Sequence, residues 1–364
     1  MILVLRRVRS AVMAVGLLVC LVLMVTVASG CQAAKPKQAN TGPSAGSAGG
    51  AAGPPVGSNP PATTGGTKTV RGMTLSPRSF GADDFKEFPG LAAQMGGALS
   101  WAGDWNEIAG EKGGPAVTVS LAAGAKLTPV LELQFFSQSV GKLLRPLDTS
   151  TQRSYRDGAV AFVQKNKPRY LGLGIEVNVL YERSPSDFDS FVKFYDQMYD
   201  AVKAASPDTR VFTIFNLEKM KGLGGGLFGG ANDPAKAQWA LLDRFPKADL
   251  VAFTTYPGLI YKSPADIPAD YYSEIQKHVT AKPIAFTEIG WHTATSPAGW
   301  ESSEAEQAEF ITRFFQLAAP VNPELEIWSF MFDQAVAVPF ASMGLRRSTD
   351  GGAKAGWRAW IETK

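Results

Sequence analysis

Carboxylate and amide side chains interrupt several otherwise apolar segments of the chain, near the C-terminal end of each segment. Burying such groups costs free energy unless each is hydrogen-bonded or paired, so their recurrence points to a shared polar site. Aromatic residues accompany them, and aromatic rings stack on the apolar faces of sugars while carboxylates and amides bind hydroxyls. The pattern predicts a carbohydrate site, whose candidate residues are Trp101, Asp104, Glu132, Glu176, Asn178, Asn216, Glu218, Tyr256, Glu288, Trp291 and Trp328.

The segments that carry these residues have the character of buried strands. They are apolar nearly throughout, as the strands of a parallel sheet covered on both faces are. Their spacing leaves room each time for a helix and two loops. The predicted strands are residues 70–76, 98–105, 127–136, 170–181, 210–218, 250–257, 283–291 and 327–332.

Helical periodicity separates the predicted strands. The clearest helix is predicted over 185–206, where Phe188, Phe191 and Tyr195 belong to one apolar face, and another is predicted over 304–319. Alternating strands and helices favour a parallel sheet. Eight repeats with no evident second domain favour a single α/β (β/α)8 TIM barrel, with an open doubly wound sheet as the alternative. In such barrels the active site lies at the C-terminal ends of the strands.

Four segments resemble a clan of retaining glycoside hydrolases built on this barrel. Residues 287–291, Thr-Glu-Ile-Gly-Trp, are similar to the nucleophile segment of family 17 β-1,3-glucanases and family 53 endo-galactanases. Residues 174–177, Gly-Ile-Glu-Val, resemble the acid/base segment of those families. Tyr256 resembles the tyrosine that hydrogen-bonds the nucleophile, and Trp328 resembles the aromatic residue beneath the sugar being cut. The resemblance covers about residues 70–362.

The resemblance implies a two-step retaining mechanism on a β-linked poly- or oligosaccharide. Glu288 would attack the anomeric carbon in its ionised form, and Glu176 would protonate the leaving oxygen and then activate water. Glu176 then needs a raised pKa, while Glu288 stays ionised with the help of Tyr256. No metal or cofactor is required.

One position departs from the clan pattern. Ile175 stands where the clan has an asparagine that binds the sugar 2-hydroxyl. Asn178, two residues beyond Glu176 on the same face of the predicted strand, is the candidate substitute. The alternative function is a barrel that binds glycan without cleaving it. A solute-delivering lipoprotein is a third class, which would have two lobes.

The N-terminus is typical of an exported lipoprotein. Arg6, Arg7 and Arg9 precede an uncharged apolar run at 11–27, and three small residues lead to Cys31, which resembles the lipidated cysteine of a bacterial lipobox. An uncleaved membrane anchor is the alternative. We expect the protein to be anchored to the outer face of the bacterial cell membrane. The predicted segments are a signal peptide (1–30), the lipidated cysteine with a flexible Gly/Ala/Pro/Ser linker (31–67), and the barrel (68–364).

Composition excludes several other classes. Cys20 and Cys31 are the only cysteines, so the predicted barrel has no disulfide, and the two histidines are too few for a histidine-based metal centre. Loss of the three arginines of the signal peptide would leave 33 basic and 33 acidic residues, a balance that does not indicate nucleic-acid binding. We expect a monomer.

The glycine-rich run at 222–230 follows no strand directly, so we interpret it as a mobile loop beside the substrate rather than a dinucleotide site.

Overall fold

The computed structural model describes residues 69–294 and 299–363. The predicted signal peptide, the linker and the lipidated Cys31 lie outside the described residues. Within the described ranges, no helix is long and apolar enough to span a bilayer.

The described residues form a parallel β-sheet of nine strands wrapped by helices, which confirms the predicted α/β TIM barrel. The sheet order is β5-β4-β3-β2-β1-β9-β8-β7-β6. Each predicted strand overlaps at least one observed strand, but the last, predicted over 327–332, begins earlier and ends at Trp328. The strands are β1 (Val70–Thr74), β2 (Ala98–Asp104), β3 (Thr128–Gln134), β4 (Tyr170–Leu173), β5 (Arg210–Phe212), β6 (Ile214–Asn216), β7 (Val251–Thr255), β8 (Ile284–Ile289) and β9 (Leu325–Trp328).

The barrel closes through one interrupted strand. β5 pairs with β4, and β6 pairs with β7, so the two ends of the sheet are consecutive pieces of chain on either side of Thr213. The Thr213 hydroxyl donates to the Gly174 carbonyl, 3.2 Å away, and the Ile214 amide donates to the same oxygen. The eight predicted strands therefore become nine, because the fifth is divided between two neighbours.

The two helices that periodicity predicted are confirmed, as α5 (Pro185–Ala205) and α7 (Glu304–Ala318). The face of α5 that was predicted to be apolar is buried, including Phe188, Phe191 and Tyr195. Short α6 and 3-10 turns occupy the crossovers around β6, β7 and β8 in place of long helices. The helices are α1 (Ala82–Met95), α2 (Gly114–Ala125), α3 (Thr149–Asn166), α4 (Val177–Arg183), α5 (Pro185–Ala205), α6 (Leu217–Met220), α7 (Glu304–Ala318) and α8 (Ala355–Glu362).

A buried carboxylate joins strands across the N-terminal end of the barrel. Glu324, which precedes β9, receives two hydrogen bonds from the Arg210 guanidinium and one from the Tyr170 hydroxyl, at 2.7 to 2.9 Å. Its side chain is 1% exposed. The charge is thus fully hydrogen-bonded, and it ties the starts of β4, β5 and β9 together.

We expect Glu324→Gln to lower the free energy of unfolding by about 2 kcal/mol, because it removes the charge that the buried end of Arg210 faces. Urea unfolding would measure the loss. The matched control is Glu309→Gln on α7, where the side chain is exposed and the expected change is within about 0.5 kcal/mol. Equal stability of the two variants would contradict the prediction.

Candidate active site

A cleft opens at the C-terminal end of the barrel and encloses about 880 Å³ of space that is continuous with solvent. Four of the predicted site residues line it: Glu176, Asn216, Tyr256 and Glu288. They come from the ends of β4, β6, β7 and β8, as the barrel fold predicts. The other lining residues are Ala102, Gln134, Gln138, Ile175, Val179, Glu182, Arg183, Lys219, Phe228, Leu259 and Phe340.

Glu176 lies in a turn rather than on a strand. β4 ends at Leu173, so the strand predicted over 170–181 is wrong beyond that residue. Glu176 adopts a left-handed conformation (φ 55°, ψ 43°) directly before α4. The Asn216 amide and the Thr254 hydroxyl both donate to its Oε1, at 2.9 and 2.7 Å. The turn therefore directs the carboxyl into the cleft, and two neighbouring strands hold it there.

Glu288 reaches the cleft through a β-bulge in β8. Pairing with β7 shifts register between Phe286 and Glu288, so that Thr287 and Glu288 together oppose Thr254. A bulge breaks the alternation of side chains between the two faces of a strand. Both Thr287 and Glu288 consequently face the barrel interior rather than one facing inward and the next outward.

Thr254 brings the two carboxyls together. Its hydroxyl donates to Glu176, and its backbone is the register partner of Glu288. Register partners on adjacent strands lie roughly 5 Å apart. Tyr256 completes the group, because its hydroxyl donates to Glu288 Oε2 and lies 2.9 Å from the Ser329 hydroxyl.

Burial raises the pKa of both carboxyls. The pKa of Glu176 lies above its usual value because burial outweighs the hydrogen bonds from Asn216 and Thr254. Burial, and then the charge of Glu176, raise the pKa of Glu288 to about 7, while the Tyr256 hydroxyl opposes the shift. The sequence predicted a raised pKa for Glu176 alone, whereas both carboxyls have raised pKa values because both lose contact with water in the same cleft.

Glu132 lies inside the barrel, close to Glu288 but not among the residues that line the cleft. Its Oε1 accepts a hydrogen bond from Ser100, 2.5 Å away, and the side chain is fully buried. Burial and the charge of Glu288 hold the pKa of Glu132 well above its usual value, against hydrogen bonds from Ser100 and Thr287. Its surroundings in the barrel core therefore favour the protonated form of Glu132.

Glu218 lies behind the cleft wall and positions the end of β7. Its Oε1 accepts hydrogen bonds from the Tyr256 amide, the Tyr271 hydroxyl and the Thr255 hydroxyl, at 2.9, 2.8 and 3.1 Å. Burial raises its pKa to about 7. Glu218 was predicted to bind substrate, but the structure uses it to hold the backbone of Tyr256.

Asn178 is also a structural residue. It lies in α4, not on a strand face with Glu176, and it is fully buried. Its side chain accepts from the Asn216 amide and donates to the Asn216 carbonyl and to Gln238. It therefore fixes the backbone of Asn216 and does not line the cleft, so it does not substitute for the asparagine that Ile175 replaces.

Three predicted aromatic contacts lie in the layer between the sheet and the helices. Trp328 donates to the Met343 carbonyl and packs against Trp360, while Trp291 stacks on Phe310. Trp101 belongs to the same outer hydrophobic cluster. Since alternate side chains of a strand point to opposite faces, the tryptophans face outward while their neighbours face the barrel interior. None of the three lines the cleft.

Asp104 at the end of β2 serves a loop rather than the cleft. Asp104 forms a bidentate ion pair with Arg145, in which both N–O distances are 2.8 Å. It also caps the 3-10 turn that follows, because its Oδ1 accepts a hydrogen bond from the Asn106 amide. Arg145 in turn lies 5.3 Å from the ring centroid of Trp105. Asp104 was predicted to bind substrate, but both of its oxygens are engaged in this structural pair.

The aromatic residues that do line the cleft come from loops. Phe228 lies in the glycine-rich loop that was predicted to lie beside the substrate, and Phe340 follows β9. Their contact with the cleft depends on loop conformation, which strand alternation does not predict. The glycine-rich composition was the only signal that pointed to Phe228.

Neither a family model nor a curated protein matches this sequence. Solved structures do share the fold. The GH5_18 protein of Streptomyces cattleya in complex with GlcNAc has a TM-score of 0.58 at 15% identity, covering 82% of this chain and 80% of that one. An exo-β-1,4-mannosidase of Opitutaceae bacterium strain TAV5 has a TM-score of 0.54 at 16% identity, covering 81% and 59%.

A family 39 glycoside hydrolase of Bacteroides cellulosilyticus WH2 has a TM-score of 0.55 at 16% identity, covering 80% of this chain and 62% of that one. This chain thus spans about three fifths of the length of the mannosidase and of the family 39 enzyme. At such identities the likeness shows the fold alone, which is the barrel that these glycoside hydrolases share.

We expect Glu288→Gln to stabilise the protein above neutral pH. Because the pKa of Glu288 is about 7 in the folded state and about 4.3 when unfolded, its contribution to stability is full below about pH 4 and is lost as the pH rises through 7. This shift corresponds to at most about 3.7 kcal/mol. Solvent in the cleft screens the carboxylate, so the variant should gain about 2 kcal/mol over the natural protein at pH 8 and little at pH 4.5. Urea unfolding at both pH values measures the difference.

Glu309→Gln, on an exposed face of α7, is the control and should follow the natural protein at both pH values. A Glu288→Gln effect of the same size at pH 4.5 and pH 8 would show that the Glu288 carboxyl is not perturbed.

Proposed function

We propose that this protein is a retaining glycoside hydrolase that cleaves a β-linked poly- or oligosaccharide. The observation that carries the proposal is that two half-buried carboxyls, Glu176 and Glu288, lie in one cleft at the C-terminal mouth of the barrel. Each has hydrogen-bond donors from different strands. The names of the structures that share the fold include a β-mannosidase and β-glucuronidases, which supports a β-linked substrate.

The hydrogen bonds suit different roles for the two carboxyls. Two acids this close share one proton over an interval of pH, because both cannot ionise freely. The Tyr256 hydroxyl donates to Glu288 and favours its ionised form. On Glu176 both donors bind Oε1, and no described residue hydrogen-bonds Oε2. Oε2 is therefore the atom on which the shared proton can lie, facing the cleft.

The mechanism proceeds in two displacements. Ionised Glu288 attacks the anomeric carbon while Glu176 Oε2 delivers its proton to the leaving oxygen, which gives a glycosyl ester on Glu288. Glu176 then removes a proton from water, and that water attacks the anomeric carbon, breaks its bond to the Glu288 oxygen and releases both the sugar and the ionised Glu288 carboxylate. Tyr256 stabilises Glu288 as a nucleophile and as a leaving group. The chain supplies every group that these steps use.

Turnover of β-glycosides is the first test. We expect Glu288→Gln to abolish measurable activity, because the nucleophile is lost. Glu176→Gln should lower kcat by about 10²–10⁴-fold on natural substrates, and less on aryl glycosides whose leaving group needs no proton. Azide should accelerate Glu176→Ala on such aryl glycosides and yield a β-glycosyl azide, and NMR should show retention in the natural reaction.

Glu309→Gln is the control, with circular dichroism to show that every variant is folded. Inverted product, or full activity of Glu288→Gln, would refute the retaining mechanism with these residues.

One observation favours a second candidate, a barrel that binds glycan without cleaving it. Ile175 lines the cleft directly before Glu176, so an apolar side chain occupies the place where the resembling families have an amide. Binding of β-glycans by the natural protein and by Glu288→Gln, with turnover by neither, would establish recognition in place of catalysis.

We also propose that the barrel is tethered to the outer face of the bacterial membrane through lipid on Cys31. The support is the order of the N-terminal sequence, a basic start, an apolar run and small residues before the cysteine. Mass spectrometry of the mature protein should find a lipid-modified N-terminal Cys31. Cys31→Ser should move the protein out of the lipid-modified fraction, and an unmodified N-terminus at Met1 would refute the lipoprotein.

A further inference from the structure

One wall of the cleft carries two cations. This wall is formed by one face of α4 and by Lys219, which lies on the short helix α6. Residues three and four apart share a helix face, which places Val179, Glu182 and Arg183 above Glu176 on this wall. Arg183 and Lys219 supply two positive charges there, against one negative charge from Glu182.

Arg183 has no ion-pair partner within the described residues, although it lines the cleft. Its direction is nevertheless constrained. Gly141 packs against its aliphatic stem so closely that a Cβ at position 141 would lie 2.2 Å from Arg183 Cβ. Gly141 also has a positive φ of 65°, which favours glycine. Gly141 lies in the turn of a short hairpin formed by Phe136–Ser137 and Lys142–Leu143. The hairpin thus supports the stem of Arg183, whose guanidinium has no acidic partner within the described residues.

Lys219 is held in place by contacts on two sides. Its Nζ forms an ion pair with Glu182 Oε2 at 2.9 Å, and Glu182 Oε1 accepts from Gln238. The same Nζ lies 5.1 Å from the ring centroid of Phe228. Burial raises the pKa of Glu176 and the charge of Lys219 opposes that shift, so Lys219 lies within electrostatic reach of the Glu176 carboxyl.

We propose that the substrate carries an anionic group, a carboxylate or a sulfate, on a sugar next to the scissile bond, and that Arg183 and Lys219 bind it. This inference rests on the proposed function and names its substrate class. The planar guanidinium of Arg183 matches the paired oxygens of either anion, and Lys219 adds a point charge. Phe228 offers a ring face on which the same sugar can stack.

A neutral glycan would leave this wall without a matching charge. Its hydroxyls could bind the amides of the cleft, but Arg183 would face it with no anion to bind. An acidic glycan would bring negative charge to the side of the cleft where cations outnumber ionised acids. Charge complementarity of this kind discriminates between related ligands more strongly than contact area does.

Binding to the full-chain Glu288→Gln variant tests the proposal by calorimetry. The probes are three β-linked oligosaccharides of equal length, one neutral, one with uronate units and one with sulfated units. We expect at least one acidic form to bind about tenfold more tightly than the neutral form at low salt, with the advantage shrinking as salt is added. Which acidic form is preferred identifies the anion as carboxylate or sulfate.

Arg183→Gln, added to the same protein, should lose about tenfold of the affinity for the acidic form and leave the neutral form unchanged. The matched control is Arg153→Gln on α3, an exposed arginine that does not line the cleft, which changes net charge equally. The double variant Lys219→Met/Glu182→Gln removes the second cation without exposing an unpaired acid.

Equal or tighter binding of the neutral form, or the same effect from Arg183→Gln as from Arg153→Gln, would overturn the proposal. Turnover by the natural protein, measured in parallel, separates this outcome from failure of the proposed function. If neutral glycans are hydrolysed and Arg183→Gln does not change their turnover, the proposal of an anionic substrate fails while the proposed hydrolase stands. Tight binding of acidic glycans without turnover refutes the hydrolase and retains the binding preference.

Discussion

A β-strand sends only every second side chain into a barrel, and β8 departs from that rule between Phe286 and Glu288. The extra residue lets Thr287 and Glu288 both face inward, and the cleft depends on this irregularity. With regular alternation, an inward Thr287 would direct Glu288 into the helix layer. The bulge brings Glu288 level with Thr254, which is where Glu176 is held.

A second constraint runs behind the cleft, through Glu218. Asn216 ends β6 and binds Glu176, and two residues later Glu218 binds the Tyr256 amide at the end of β7. One short stretch of chain thus fixes the surroundings of both cleft carboxyls. Burying the Glu218 carboxyl is costly, and three hydrogen-bond donors offset that cost. The carboxyl serves to hold two strand ends at a fixed separation.

The fold could be predicted from the sequence because it depends on patterns that extend over many residues. Eight apolar runs and the periodic faces of α5 and α7 define a barrel whatever the details of its loops. The location of the cleft at the mouth of the barrel could be predicted as well. The four cleft residues that the sequence identified all come from strand ends: Glu176, Asn216, Tyr256 and Glu288. These conclusions required only that polar residues at the ends of parallel strands converge.

The roles of single side chains were less predictable, because they depend on local geometry. Trp101 adjoins Ala102 of the cleft and Trp291 follows the strand of Glu288, yet both tryptophans belong to the outer hydrophobic cluster. Asn178 was placed on a strand that in fact ends at Leu173. Phe228 and Arg183 belong to a loop and a short helix, whose positions depend on contacts far away in the sequence.

The left-handed backbone at Glu176 has an evolutionary consequence. A residue other than glycine or asparagine holds this conformation only at a cost in stability. If the carboxyl were no longer needed, substitution by glycine would be favoured at once, since it would relieve the backbone and remove a buried acid. Glycine at this position in a related barrel would therefore mark a cleft that has kept the turn and lost its carboxyl.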